Sequence, residues 1–167
     1  LMQHMENSGE DLSLYDEETK EKVIPHVIAE PSLGVERAFL VFMFDAYSYD
    51  KKRENIVLRL NSKLAPVKVA VFPLVNKLDK DARQVYDLLK SEFNCAYDRS
   101  GSVGKRYARN DESGTPYCIT FDFDSVKKGD VTLRERDSTQ QIRVKIDVLK
   151  DTIRKLINNE IKFLEAG

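Results

Sequence analysis

The chain has 167 residues, enough for one ordinary domain or for one domain plus a piece of another. Its 27 basic and 28 acidic residues cancel, so overall charge selects no partner, and any contact with nucleic acid has to come from local clustering. Hydrophobic residues make up 41 %, which supports a sizeable core and excludes global disorder.

Residues 1–22 are polar and acidic, without the basic flank and apolar middle of a signal peptide, and the abrupt start on Leu1 leads us to expect a fragment of something longer. "VIPHVIAEPSLG" (23–34) predicts a short β-rich run broken at Pro31 and Gly34. "VERAFLVFMFDAY" (35–47) is apolar around most of its circumference and predicts a buried helix. Its longest apolar run, "AFLVFMF", is far short of the roughly 20 residues a membrane helix needs. Residues 48–64 are charged around a strand-like "IVLRL" and read as a linker between two bodies.

From Val67 the pattern changes. "VKVAVFPL" predicts a buried central strand. Leu78, Ala82, Val85, Leu89 and Phe93 recur at helical spacing, with Asp79 and Asp81 in the first turn. "CAY" (95–97) predicts a second strand, and residues 102–111 a second helix. "YCITFDFD" (117–124) alternates as a strand and "DVTLRERDS" (130–138) as another, paired across the "VKKGD" turn. Ile142, Ile146, Leu149, Ile153, Leu156 and Leu164 predict one long terminal helix, opened by a Ser138/Gln141 capping box. The order β-α-β-α-β-β-α argues for an α/β fold, a mixed sheet of five-stranded type flanked by helices.

Three constellations carry candidate chemistry. In "SGSVGKRYARNDESGTP" (100–116), a helix puts Lys105, Arg106 and Arg109 together at the surface near a helix start, with Val103 and Tyr107 on the buried side. That cluster is either a face shaped for anions or an ordinary solvated face with Asp111 and Glu112 as partners. In "TLRERDSTQQIR", strand alternation puts Arg134 and Arg136 on one face at a sheet edge, with Arg143 one turn into the following helix. They are suited to phosphates or base edges, or to salt bridges with Asp122 or Asp124. In "HVIAEPSLGVER", Arg37 stands in the first turn of an apolar helix, a partly buried position that calls for an anionic partner, either a ligand or Glu30 or Asp45. Cys95 and Cys118 have no CxxC spacing and no histidine pair with His4 or His26, so we expect no metal site, no nucleophilic chemistry and a reducing, cytosolic setting.

The same strings carry a resemblance. "VIPHVIAEPSLGVERAFL" resembles the third signature motif of class II aminoacyl-tRNA synthetases. "LAPVKVAVFPLV", "SGSVGKRYARNDESGTPYCITFDFD" and "VTLRERDSTQQIRVKID" resemble, in order, the carboxy-terminal anticodon-binding domain of the homodimeric glycyl-tRNA synthetases. The resemblance covers residues 12–150. It implies the end of a class II catalytic domain at 1–47, a linker at 48–64 and an anticodon-binding domain at 65–167. It further implies a glycine–tRNA ligase using ATP and Mg2+, cytoplasmic and homodimeric in its full-length form. The alternative is a non-catalytic RNA-binding or dimerisation module of the same fold. By the resemblance, Arg37 contacts the ATP phosphates, Glu30, Ser32 and Gly34 lie at the glycine site, and Lys105, Arg106, Arg109, Arg134 and Arg136 meet the anticodon arm of the tRNA. Ala29 is an apparent insertion relative to the family's "VIEPS", and one extra strand residue alters the facing of Glu30. With the first two class II motifs lying upstream, the fragment alone is not expected to activate glycine.

Overall fold

A computed structural model describes residues 1–26 and 31–167, in two units, Leu1–Arg37 and Ala38–Gly167. The first unit is small. Helix α1 (Met2–Ser8) buries none of its residues and stops at Gly9, whose φ of 72° is the left-handed conformation of a helix C-terminus. Strands β1 (Leu14–Asp16) and β2 (Glu21–Val23) pair antiparallel. Residues 27–30 of the β-rich run predicted from Val23 lie outside the described residues.

Helix α2 (Val35–Ala46) forms where the apolar pattern places it. It is not a buried helix, however. Phe39, Leu40, Val41, Phe42 and Phe44 are exposed, and only Ala46 is buried, packing with Met43 against Leu58, Leu60 and Ala65. The predicted linker carries an antiparallel hairpin, β3 (Tyr47–Asp50) and β4 (Asn55–Leu58), with Val57 fully buried.

The rest of the second unit is built on a five-stranded sheet. Its strands are β5 (Val69–Pro73), β6 (Cys95–Tyr97), β7 (Tyr117–Phe121), β8 (Asp130–Glu135) and β9 (Gln141–Lys145), in the spatial order β6-β5-β7-β8-β9. β5 runs parallel to both β6 and β7, whereas β7–β8 and β8–β9 are antiparallel. Both faces are covered, which is why β5 and β7 read as continuous apolar runs. Val69, Val71, Ile119 and Phe121 meet helices α3 (Asp79–Lys90) and α6 (Leu149–Asn158) in the main core. Ala70, Phe72 and Cys118 face the other way, where Tyr107 of helix α4 (Val103–Glu112) packs on them.

Two predicted boundaries move. The strand from Tyr117 ends at Phe121, because Asp122 caps a short helix, α5 (Phe123–Lys128), accepting from the Ser125 N–H in a reciprocal capping box. The long terminal helix is two elements. Ile142 and Val144 alternate with Arg143 and Lys145 as strand β9, and the helical spacing begins only at Leu149, with Leu149, Ile153, Leu156 and Ile157 buried. Leu164, placed on that helical face from the sequence, is exposed.

Gly114, at the turn from α4 to β7, packs closely against the end of the hairpin. Its φ is +82°, and a Cβ there would sit 3.2 Å from both the Leu58 carbonyl oxygen and Leu60 Cδ1. Gly114→Ala should therefore lower the urea midpoint, with a loss above about 1 kcal/mol. An unchanged midpoint would mean that this turn is not held as described.

Candidate nucleic-acid interface

Arg134 stands on β8 and Arg136 one residue past its end, and both are buried, not at an exposed sheet edge. With Gln141–Lys145 taken for helix, β8 looks like the sheet edge; β9 is the strand that covers it. Arg134 lies over the Tyr107 ring, 4.6 Å from its centroid, and is clamped in a fork by Asp111, Nη1 to Oδ1 at 2.8 Å and Nη2 to Oδ2 at 2.9 Å. Arg53 of the hairpin reaches the same carboxylate at 3.2 Å and donates to the Arg136 and Asp137 carbonyls at 2.7 Å each. Arg136, 3 % exposed, donates to the carbonyls of Gly114 and Leu60 at 2.9 Å and to the Asp137 carboxylate. Neither Arg134 nor Arg136 can reach an RNA without unmaking this network. The expected partners Asp122 and Asp124 are also wrong for them: Asp122 and Asp130 take Arg143, which stands on β9 and not on a helix.

The basic residues of α4 separate likewise. Ser102 caps the helix by accepting the Lys105 N–H, and Lys105 is exposed, with no ion pair among the described residues. Arg106, expected to point outward, is 4 % exposed and donates to the carbonyls of Pro73, Arg99 and Gly101. Arg109 is exposed but binds the Asp98 carboxylate and the Ser100 carbonyl. One helical face therefore carries a free cation, a buried one and a neutralised one. The helical spacing is as predicted, but the loops after β5 and β6 cover Arg106, and sequence spacing carries no signal of that cover.

The topology singles out a different surface. Helices α3 and α4 lie on opposite faces of the sheet, so the chain reverses its direction of winding at β5. In open α/β sheets such a switch point, at the carboxyl ends of the parallel strands, opens the crevice where ligands bind. Here that rim comprises Leu74–Lys77 after β5, Asp98–Ser102 after β6, and Asp122–Phe123 after β7. It is tied down by the Leu74 N–H donating to the Phe121 carbonyl at 2.8 Å and the Asp98 N–H donating to the Val71 carbonyl at 3.2 Å. Asn76, Lys77, Ser100, Ser102 and Lys105 are exposed on it, and so is the Phe123 ring, at 55 %. Burial by itself would raise the Asp98 carboxyl, but the Arg109 guanidinium and the Ser100 N–H outweigh it and hold the group below the ordinary carboxylate value.

Residues 68–156, more than half of the chain, match the family model described as "Anticodon binding domain". The chain belongs to that family. Along nearly its whole length this anticodon-binding chain is also similar to proteins named Glycine–tRNA ligase. It is 53 % identical over 152 residues to that of Acetivibrio thermocellus (89 % of this chain, 33 % of the relative). It is 49 % identical over 165 residues to that of Caldanaerobacter subterraneus subsp. tengcongensis (98 % and 35 %), and 49 % over 160 residues to that of Geobacillus thermodenitrificans (94 % and 34 %). The chain thus spans about a third of the length of the curated relatives it matches.

Outside the anticodon-binding domain, Ser32, Gly34 and Arg37 are exposed, and Glu30 and Ala29 lie outside the described residues. The partial burial expected of Arg37 is not found: it is exposed. Burial raises the Cys95 thiol to about 11 and that of Cys118 further, so neither supplies a thiolate at neutral pH. Among the described residues no helix is long and apolar enough to cross a membrane.

Two outcomes follow from the ionic network of the anticodon-binding domain. Arg134→Leu strands Asp111, 2 % exposed, against a single remaining guanidinium and should cost about 3–5 kcal/mol by urea unfolding, with Asp111→Leu in the same chain recovering much of the loss. A single variant as stable as the parent would contradict the clamp. For pH, burial would raise Asp122 and Asp137 too, but hydrogen bonds from Arg143 and from Arg136 respectively bring both down, alongside Asp98. Folded values below unfolded ones mean that their stabilisation is complete above the ordinary carboxylate value of about 3.9 and is lost as pH falls through the lower folded values. The melting midpoint should fall steeply below about pH 4, and less steeply in Asp137→Asn; a midpoint that rises on acidification would refute the assignment.

Proposed function

We propose that this chain supplies anticodon-arm recognition to a glycine–tRNA ligase, the longer protein joining glycine to its tRNA through an adenylate formed from ATP. The observation that carries the reading is the match to Glycine–tRNA ligases at about half identity along nearly all of the chain, added to its family membership. The rim at the carboxyl ends of β5, β6 and β7 is the surface we assign to the RNA. Lys77 and Lys105 suit phosphates. The Asn76, Ser100 and Ser102 side chains suit the pairing edges of unstacked anticodon bases, and Phe123 offers a ring on which one base can stack. Arg134, Arg136 and the arginines of α4, buried or paired, hold this surface in shape.

In the longer protein, Arg37 offsets charge on the ATP phosphates, with Glu30, Ser32 and Gly34 at the glycine. Magnesium accompanies ATP in such chemistry. Among the described residues no three His, Cys, Asp or Glu side chains converge to hold it. A homodimer and a cytoplasmic setting complete the proposal.

Binding of the chain to a glycine tRNA transcript, and to one with an altered anticodon, tests this directly. Binding should favour the first transcript, and log K should fall with log salt. Lys77→Ala and Lys105→Ala should each reduce that slope by about 0.7 while leaving the preference intact. Phe123→Ala should weaken binding by about 1–3 kcal/mol. Equal binding of both transcripts would reduce the proposal to a phosphate-binding or dimerisation module.

A further inference from the structure

We infer that Arg106 is the positioning residue of the RNA-facing rim, setting the distance between the loops after β5 and β6; the inference rests on the assignment of that rim to tRNA. The two loops leave adjacent parallel strands on either side of the switch point, and few bonds join them directly. Arg106 rises from α4 beneath both. Its Nη1 donates to the Pro73 carbonyl at 2.6 Å, and its Nη2 donates to the carbonyls of Arg99 and Gly101 at 3.1 and 2.8 Å. A guanidinium is a planar, rigid fork, so three acceptors on one fork fix the backbone of one loop relative to the other. Gly101, at φ +75°, makes the turn that aims its carbonyl into the fork, and Ser102 then starts α4, so helix and loop are held by one side chain.

The chemistry of the site sets this residue apart from an ordinary core side chain. Arg106 is a buried cation with no carboxylate partner among the described residues. The nearby Asp98 carboxylate is bound by Arg109 instead. Arg106 Nε is the one buried side-chain polar atom among the described residues without a hydrogen-bond partner. An apolar side chain of the same volume would avoid desolvating a charge but would leave the three carbonyls without their donor. What the guanidinium supplies is the arrangement of three inward carbonyls, which turns the Ser100 and Ser102 side chains and the start of α4 toward the ligand side.

The test uses the 167-residue chain with Arg106→Met, which keeps the volume and removes the fork, and Arg106→Lys, which keeps the charge and removes the planar geometry. Preference for a glycine tRNA transcript over one with an altered anticodon, the salt slope of binding, and amide hydrogen exchange are measured on each folded variant. We expect the preference to drop at least tenfold and exchange in Leu74–Lys77 and Asp98–Ser102 to quicken. The salt slope and the exchange of β7 and β8 should not change, because the phosphate contacts and the sheet are untouched. A folded Arg106→Met with parental preference and loop exchange overturns the inference while leaving the RNA reading in place. If Arg106→Met does not fold, parental behaviour in Arg106→Lys does the same. If the parent chain shows no preference between the two transcripts, the RNA reading itself fails, and the inference with it.

Discussion

A carboxylate at the end of one helix holds the sheet and the hairpin in register. Asp111 sits at the carboxyl end of α4, almost wholly out of solvent, and accepts from Arg134 of the central sheet and Arg53 of the hairpin together. Burying three charged groups is costly unless geometry and hydrogen bonding are close to complete, and here they are: a two-point fork from Arg134, with Arg53 finishing on two carbonyls. The helix is thereby pinned at one end to the β-structure. At its other end it presents Ser102, Lys105 and the loop carbonyls gathered by Arg106. One ten-residue helix thus connects the structural network to the exposed rim.

This arrangement divides the arginines by role. A guanidinium that spans strands or loops serves as an internal fastener, and its donors are spent on backbone carbonyls and aspartates. On the proposed reading, recognition of an RNA falls to side chains that the fold leaves free: two lysines, short polar groups and one aromatic ring at the carboxyl ends of the parallel strands. A chain with cancelling net charge can meet a polyanion in this way, because the cations it exposes at the rim are few and the acidic groups beside them, such as Asp98, are already neutralised by Arg109.

Much of the fold is legible in residue order. The strands at Val69, Cys95 and Tyr117 and the helices α3 and α4 lie where apolar periodicity and capping chemistry place them, because burial on one or two faces leaves a repeating mark in the sequence. Two of the failures share one cause. Ile142, Ile146 and Leu149 fit a helical face by spacing alone, and only the pairing of Gln141–Lys145 with β8, a contact between segments, makes the first part a strand. That single error puts Arg134 and Arg136 at an apparent edge and Arg143 on an apparent helix. Arg106 shows the same limit at the level of one side chain. Its neighbours at helical spacing suggest an outward face, whereas the carbonyls that bury it come from residues as distant as Pro73. The capping box at Asp122 is visible in "DFDS" but is overridden by an alternation that runs past the true end of the strand.

The division between fastening arginines and a recognising rim is tested most directly by following nitrogen-15 resonances of the chain while a glycine tRNA transcript is added. The guanidinium signals of Arg134 and Arg136 should stay in place, while the amides of Leu74–Lys77 and Asp98–Lys105 shift. Movement of the Arg134 and Arg136 guanidiniums with a silent rim would contradict that division, because the RNA would then be opening the ionic network and reading the arginines themselves.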